Sequence, residues 1–237
     1  MRFASKLTPA MLARRYKRFL ADVVFDSGDM ATVHVANPGP MTGLDRPFSR
    51  VWLSDSGNQL RKFPLTWELA EADLGSGVEL VGVNTTQPSL LVADALAAGQ
   101  IPELRDYASV RRQVKYGENS RIDFLLEDPA KPACYLEVHN VHFMRQPRLA
   151  EFPDAVTEGG AAHLDELAAL QASGAQALLL FIIQIASAER LTIARDIDPA
   201  YAEAFARARS RGVQALAWRC RMSADGIDMA APIPIDL

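Results

Sequence analysis

Asp123, in the run Arg121-Ile122-Asp123-Phe124-Leu125-Leu126, and the triplet Glu137-Val138-His139 are the residues whose types and spacing point most directly to chemistry. Side chains alternate between the faces of a strand, so Glu137 and His139 share a face, and a hairpin between the two strands brings Asp123 alongside. Two carboxylates converging in this way make a hard, oxygen-rich pocket suited to Mg²⁺ or Mn²⁺. Such a pocket cleaves phosphodiesters by binding a phosphate oxygen and lowering the pKa of the attacking water. A lysine two positions beyond the glutamate ordinarily completes it, orienting the water and offsetting charge on the phosphate. Here that position holds His139, which is shorter than lysine and largely neutral near pH 7 when unperturbed. The plain alternative makes Asp123 and Glu137 ordinary charged residues at strand ends.

The elements that position these residues follow from apolar patterning and from breakers. Strands are predicted at 16–26, 32–35, 50–53, 63–70 and 78–83, with Ser27-Gly28-Asp29 as a turn. Five short strands with almost no helical periodicity predict a small barrel or open sheet, of which the oligonucleotide-binding barrel is one form. The breaker-rich loop from Asn37 to Gly43 lacks the Lys-Ser/Thr ending of a phosphate-binding loop, so it is not a nucleoside triphosphate site. Near Asn84 the pattern changes. Pro88-Ser89 opens a helix through Leu90, Leu91, Ala95 and Leu96, closed by Gly99, and strands follow at 110–116, 121–127 and 134–143. Asp154 or Thr157 caps another helix, with Leu164, Leu167 and Leu170 on one face and Gly174 at its end. The apolar run from Ala177 is a buried strand in which Gln184 needs a hydrogen-bond partner. Asp198-Pro199 begins a helix carrying Tyr201, Phe205 and Ala208, ended by Gly212, and a last strand covers 213–222. The second half therefore reads α-β-β-β-α-β, then α-β, which sets both carboxylates on adjacent strands. The expected division is residues 1–84 and 85–237.

A chain of 237 residues has ample material for a core, and its apolar half, without low-complexity tracts, predicts a folded soluble protein. No secretory signal or run long enough to span a bilayer is legible, so the expected setting is cytoplasmic, with no membrane partner. Cys134 and Cys220 lack any C-x-x-C spacing and are expected as reduced, buried small hydrophobes. The net charge of −4 argues against a surface uniformly suited to nucleic acid. The cations are clustered, however. Arg14, Arg15, Lys17 and Arg18 form one group, interleaved with Tyr16 and Phe19, and Arg111, Arg112, Lys115 and Arg121 form another. Such groups bind phosphates and release counterions, whereas the rings either stack on bases or pack in the barrel core, which is the expectation here. His139 and His142 should face opposite sides of a strand, and His34 and His163 are expected as packing or surface residues.

Taken together, Arg15-Tyr16-Lys17-Arg18-Phe19, Lys62 through Leu69, Val81-Gly82-Val83-Asn84-Thr85, Ile101-Pro102-Glu103-Leu104, Val114-Lys115-Tyr116-Gly117, Asn119-Ser120-Arg121-Ile122-Asp123, Phe152-Pro153-Asp154-Ala155-Val156-Thr157 and His163-Leu164 resemble the sugar fermentation stimulation protein A (SfsA) family over nearly the whole chain. The resemblance implies an α+β, α/β architecture: a small N-terminal OB-like β-barrel, then a PD-(D/E)xK nuclease-like α/β domain with a mixed central sheet. It also implies DNA binding linked to regulation of sugar-utilisation genes. Asp123 and Glu137 fall on the family's acidic positions, and His139 falls where the family usually has lysine. Gly159 stands where a basic residue is expected, and Pro38 and Pro40 depart from the family's N-T-G-S-M loop. These departures bear on catalysis and phosphate contact, not on the fold.

The leading expectation is a sequence-tolerant DNA-binding protein on a nuclease-like scaffold, with the two cation groups as phosphate contacts. The alternative is a Mg²⁺- or Mn²⁺-dependent nuclease in which Asp123 and Glu137 hold the metal and His139 positions water or phosphate. A third class is an interaction module that does not touch nucleic acid. No organic cofactor is expected, and the sequence is compatible with a monomer or a homodimer.

Overall fold

The computed structural model describes residues 1–58, 60–117 and 120–236. Its first unit is a barrel of β1 (Thr8–Tyr16), β2 (Leu20–Val24), β3 (Met30–His34), β4 (Arg50–Asp55), β5 (Leu65–Asp73) and β6 (Val78–Gly82). The strands run in the order β3-β2-β1-β4-β5-β6, and the sheet closes where His34 of β3 meets Thr66 of β5. Ala10, Leu12, Ala21, Val23 and Val33 alternate inward to fill the barrel.

The strand expected at 16–26 is corrected. Within that stretch β1 ends and β2 begins, joined by a hairpin turn in which Lys17 and Arg18 take φ of 50° and 62°. Phe19 consequently stands 48% exposed at the turn rather than in the barrel core. The cations Arg14 and Arg15 lie inside β1, where they obscure an alternation carried by Ala10 and Leu12.

The second unit comprises α1 (Gln87–Ala97), β7 (Ser109–Tyr116), β8 (Ser120–Asp128), β9 (Lys131–Val141), β10 (Phe143–Gln146), β11 (Leu149–Phe152), α2 (Gly160–Ala172), β12 (Gln176–Ile183), β13 (Arg190–Ile193), α3 (Pro199–Ser210), β14 (Gln214–Ser223), β15 (Gly226–Ile233) and β16 (Ile235–Asp236). The central sheet has the order β15-β14-β12-β9-β8-β7, with β12 parallel to both β9 and β14 and the other pairs antiparallel. On one side of β12, Leu179 and Phe181 join Leu164, Leu167, Tyr201 and Phe205 from α2 and α3. On the other, Leu178, Leu180 and Ile182 join Leu91, Val92 and Ala95 from α1. A strand covered on both faces reads as a continuous apolar run, and β12 does. Cys134 and Cys220 are free and buried in the α1-side core, where burial pushes both thiols up to about 12.

The side sheet β10-β11-β13-β16 and the strand β15 were not expected from the sequence. The four strands of the side sheet are too short for a period of two to register. A second correction concerns α2, which neither Asp154 nor Thr157 caps. The helix starts after Gly159, whose φ of 76° suits glycine, and a side chain at Gly160 would run into Thr157. Thr157 instead donates from its N–H and its Oγ1 to Asp198 Oδ2, at 2.7 Å each. Asp198 also caps α3 by accepting from Tyr201 N at 2.9 Å. Residues 1–3 lie against β15, with Ile227 N donating to Met1 O and Phe3 N to Asp225 O, so the chain's start is tied to the second unit. Among the described residues, no helix is long and apolar enough to cross a membrane.

Asp198 thus locks the 157 loop to α3, and Asp198→Ala is expected to lower stability in urea titrations by about 1–3 kcal/mol. Burial tends to raise the Asp198 pKa, but the donors from Thr157 and Tyr201 outweigh it and hold the carboxyl below its ordinary value. A carboxylate with a depressed folded pKa stabilises fully above its unfolded pKa and loses that contribution as pH falls through the folded value. The gap between wild type and variant should therefore hold steady from neutral pH down to about pH 4 and narrow below it.

Candidate functional site

The register of β8 against β9 pairs Phe124 with Leu136, which brings Asp123 opposite Glu137 on the α2/α3 side of the sheet. The backbone ladder stops at this point. Asp123 Oδ2 takes the place of a carbonyl by accepting from Val138 N at 2.8 Å, and Oδ1 accepts from Gln113 Nε2 at 2.7 Å. Gln113 has φ 53°, a left-handed conformation that a non-glycine residue seldom adopts. Burial raises the Asp123 pKa against these hydrogen bonds. Burial likewise raises that of Glu137, with the neighbouring Asp123 charge adding to it and His163 opposing it.

His139 follows Glu137 on the same face, and its parallel register partner is Phe181. Its ring lies among Phe152 at 4.8 Å, Phe181 at 5.1 Å and Tyr201 at 6.3 Å between centroids. Tyr201 Oη stands 3.5 Å from His139 Nε2, the outer limit of a hydrogen bond. Burial, assisted by the His163 charge, pushes the His139 pKa down to about 3. His139 is therefore a neutral ring in an aromatic box.

The base facing Glu137 is His163 from α2, with Nε2 at 3.2 Å from Glu137 Oε2. Pairing with Glu137 raises the His163 pKa. Tyr116 Oη lies 3.1 Å from His163 Nδ1, and Glu166 accepts from Ser120. His163, Glu166, Tyr116 and Tyr201 carried no sequence signal for this role. Their approach comes from packing α2, α3 and β7 around the end of β9. His163 belongs to the site rather than to packing alone.

Glu137, His139, His163, Glu166, Ser120, Arg121 and Tyr201 line one cavity of about 490 Å³. Among the described residues no three His, Cys, Asp or Glu side chains are close enough to form a ready-made metal cage. The site nonetheless fits a hard divalent cation. Glu137 Oε2 is within ion-pair reach of His163 and, among the described residues, meets no aligned hydrogen-bond donor. Mg²⁺ is typically bound by one or two carboxylates, with water and phosphate completing its shell, and Asp123 with Glu137 makes such a pair.

Of the cations expected to contact phosphate, Arg121 lines this cavity and Lys115 pairs directly with it across β7 and β8. Like charges opposite one another disfavour the sheet unless an anion lies between them. Arg121 also donates from Nη1 to Gln113 O at 2.8 Å. Arg112 lies 5.5 Å over Phe124, on the α1 side of the sheet, and Arg111 pairs with Glu127 at 2.9 Å. The barrel group sits elsewhere. Arg14 pairs with Asp22 at 2.8 Å and stacks on Tyr16. Arg15, its side chain 10% exposed, donates to the carbonyls of Arg18, Asn37, Gly39 and Pro40 and braces that loop. Arg18 donates to Pro38 O, and Lys17 is exposed at the hairpin. Gln184, expected to need a partner, donates to Asn140 Oδ1 at 2.6 Å and to Asn84 O at 3.3 Å. His142 is buried beside Asp154 at 3.3 Å and is not part of the cavity.

Comparison with known proteins is consistent over the whole chain. A family model described as the SfsA N-terminal OB domain matches residues 13–83, and one described as the sugar fermentation stimulation protein RE domain matches residues 86–226. The sugar fermentation stimulation protein homolog of Azorhizobium caulinodans is 55% identical over 235 residues, covering 99% of each chain. The homolog of Rhodospirillum centenum is 56% identical over 227 residues, covering 96% of each. A solved structure described as Pyrococcus furiosus SfsA in complex with Ca²⁺ shares the fold with a TM-score of 0.88 at 22% identity, covering 100% of this chain and 98% of that one.

The box around His139 sets a pH dependence in metal-free protein. A base whose folded pKa is depressed resists protonation that the unfolded chain accepts, so stability falls as pH drops below the unfolded value near 6.5 toward about 3. In EDTA, wild type should lose on the order of 2 kcal/mol more than His139→Phe between pH 7 and pH 4.5, measured by urea unfolding. Parallel pH profiles would show that the ring is not held neutral.

Proposed function

The chain belongs to the sugar fermentation stimulation protein family, and we propose that it binds DNA across the cavity beside Asp123 and Glu137, as a sequence-tolerant regulator on a nuclease-like scaffold. The observation that carries this reading is the entry of Arg121, opposed by Lys115, into the wall of the cavity that Glu137 and His139 line. Among the described residues neither of these two cations is in an ion pair, and both can meet a phosphate placed there. Ser120 and His163 offer further donors from the same wall. The exposed Lys17 and Arg18 at the barrel hairpin, and Arg111 on β7, are further cations for a polyanion to meet, whereas Arg112 lies on the opposite, α1 side of the sheet. Recognition through phosphates is salt-dependent and carries little sequence information. The link to sugar utilisation rests on the family's name and on DNA binding as its route.

The second reading is a divalent-metal nuclease, favoured by the facing carboxylates of Asp123 and Glu137. Asp123 and Glu137 would hold Mg²⁺ or Mn²⁺, and the Ca²⁺ in the description of the Pyrococcus furiosus relative is a hard cation of the same ligand preference. When bound, such an ion polarises phosphate and acidifies water. This chain's own residues supply less than a lysine site would. His139 is neutral and boxed, so charge on a phosphate would be met by Arg121 and His163. Cleavage should accordingly be slow or absent.

Fluorescence anisotropy on labelled duplexes of unrelated sequence is expected to give similar affinities that fall steeply with salt. Arg121→Ala and Lys115→Ala should each lower the slope of log K against log salt by about one. Affinity indifferent to both changes would sink the assignment. In Mg²⁺ or Mn²⁺, any cleavage should vanish in Asp123→Ala, and His139→Lys should raise it.

A further inference from the structure

Asp123 stands opposite Glu137 across β8 and β9, yet it is not among the described residues that line the cavity Glu137 enters. Its carboxylate is held sideways along the sheet instead. Oδ2 reaches toward β9 and accepts from Val138 N at 2.8 Å, while Oδ1 reaches toward β7 and accepts from Gln113 Nε2 at 2.7 Å. The partner fixes the Gln113 amide, since its oxygen would repel a carboxylate. A cation beside Glu137 needs at least one Asp123 oxygen turned toward it. The Val138 bond belongs to the frame of the sheet, whereas Gln113 is an exposed side chain on an edge strand.

Gln113 is shaped for this contact rather than for strand pairing. The ladder of β7 with β8 joins Arg112 to Phe124 and Val114 to Ile122, and it skips Gln113 and Asp123 between them. A φ of 53° at a glutamine persists only where the surroundings impose it. Two contacts impose it here. The side chain is held by Asp123, and the carbonyl accepts from Arg121 Nη1 at 2.8 Å. Residues kept in sparsely populated conformations gather at switch positions, where losing a contact relaxes the backbone. An exposed hydrogen bond also exchanges readily with water, so the Gln113 amide is free to let go.

We propose that Gln113 is a latch: it holds Asp123 Oδ1 away from Glu137 in metal-free protein and releases it when a divalent cation enters the cavity. Gln113 is thus a positioning residue. The proposal rests on the reading of Asp123 and Glu137 as carboxylates that hold a metal. On release, Oδ1 turns from β7 toward the cavity while Oδ2 keeps Val138 N, and one oxygen suffices for a monodentate ligand. Side chains opposed on neighbouring strands start about 5 Å apart at Cβ, so the swing is short. The latched state is not competent to bind, and its population lowers the apparent affinity for every such cation. Had Gln113 steadied Asp123 for the cation, as outer-shell groups do around metals, removing it would act in the opposite direction.

Calorimetric titration of EDTA-stripped, full-length protein with Ca²⁺, and separately with Mn²⁺, tests the latch without relying on cleavage. Gln113→Leu keeps the bulk of the side chain without its amide, and Gln113→Gly also suits the left-handed backbone. Each variant should bind both cations about three- to tenfold more tightly than wild type, because a bond to a charged carboxylate is lost from the latched state. The gain should vanish when Asp123→Asn is added to either variant. In wild type, the Gln113 side-chain amide resonances, identified by their loss in Gln113→Leu, should shift as Ca²⁺ is added. Affinity unchanged or weakened in either Gln113 variant, or a gain that survives Asp123→Asn, overturns the latch and leaves the metal reading standing. No Ca²⁺ or Mn²⁺ binding in wild type or in either variant overturns the metal reading, and the latch with it.

Discussion

The parallel pairing of β9 with β12 is the constraint on which the rest of this molecule depends. Leu178 through Ile183 are buried on both faces of the sheet, so β12 has no freedom to slide or roll. Its register sets Glu137 beside Leu179 and His139 beside Phe181. A slip of one residue would send both site residues to the α1 side, where Leu136 and Leu178 form an apolar layer. The geometry of the site is therefore set by a strand that contributes no polar group to the cavity.

That placement has an electrostatic consequence. The sheet face below α2 and α3 is a poor solvent for charge, so Asp123 and Glu137 are raised and His139 is depressed, each by burial first. Three elements converge on His139: β11 through Phe152, β12 through Phe181 and α3 through Tyr201. The box suits a neutral ring, and among the described residues its one hydrogen-bond contact is the Tyr201 hydroxyl. Positive charge reaches the cavity from its flanks instead, from His163 on α2 and Arg121 on β8. His139 is thus part of the aromatic packing, and α2 supplies the base that faces Glu137.

Much of this arrangement was legible in the sequence. The helices with glycine stops, the apolar β12 run and the two-residue spacing of Glu137 and His139 all carry local periods or breakers, and all appear as expected. What was not legible depends on tertiary contact. β1 hides its alternation behind Arg14 and Arg15, which the fold accommodates by pairing one with Asp22 and wrapping the other in loop carbonyls. The side sheet is assembled from strands of four residues or fewer, too short to carry a period of their own. Asp154 and Thr157 look like helix caps, but Asp154 faces His142 and Thr157 faces Asp198. His163 reads as an ordinary helical residue until α2 is docked, because no spacing rule relates it to Glu137.

The same distinction narrows what the clustered cations can do. Arg15 holds the Asn37–Pro40 loop, and that loop meets the second unit through Asn37 Nδ2, 3.3 Å from His142 Nε2. From His142 the polar chain continues through Asn140 to Gln184, at 2.8 and 2.6 Å. Arginine 15 thus acts on the end of β9 through the packing between the two units, and replacing it would disturb structure before it disturbed charge. Arg14 and Arg111 are tied to Asp22 and Glu127 on the surface, where an ion pair exchanges readily with a phosphate because neither state is strongly favoured. Lys115 and Arg121 are register partners across β7 and β8, and among the described residues neither is tied to a carboxylate. On an acidic protein, the proposed attraction for a polyanion would rest on a few local cations rather than on the overall charge.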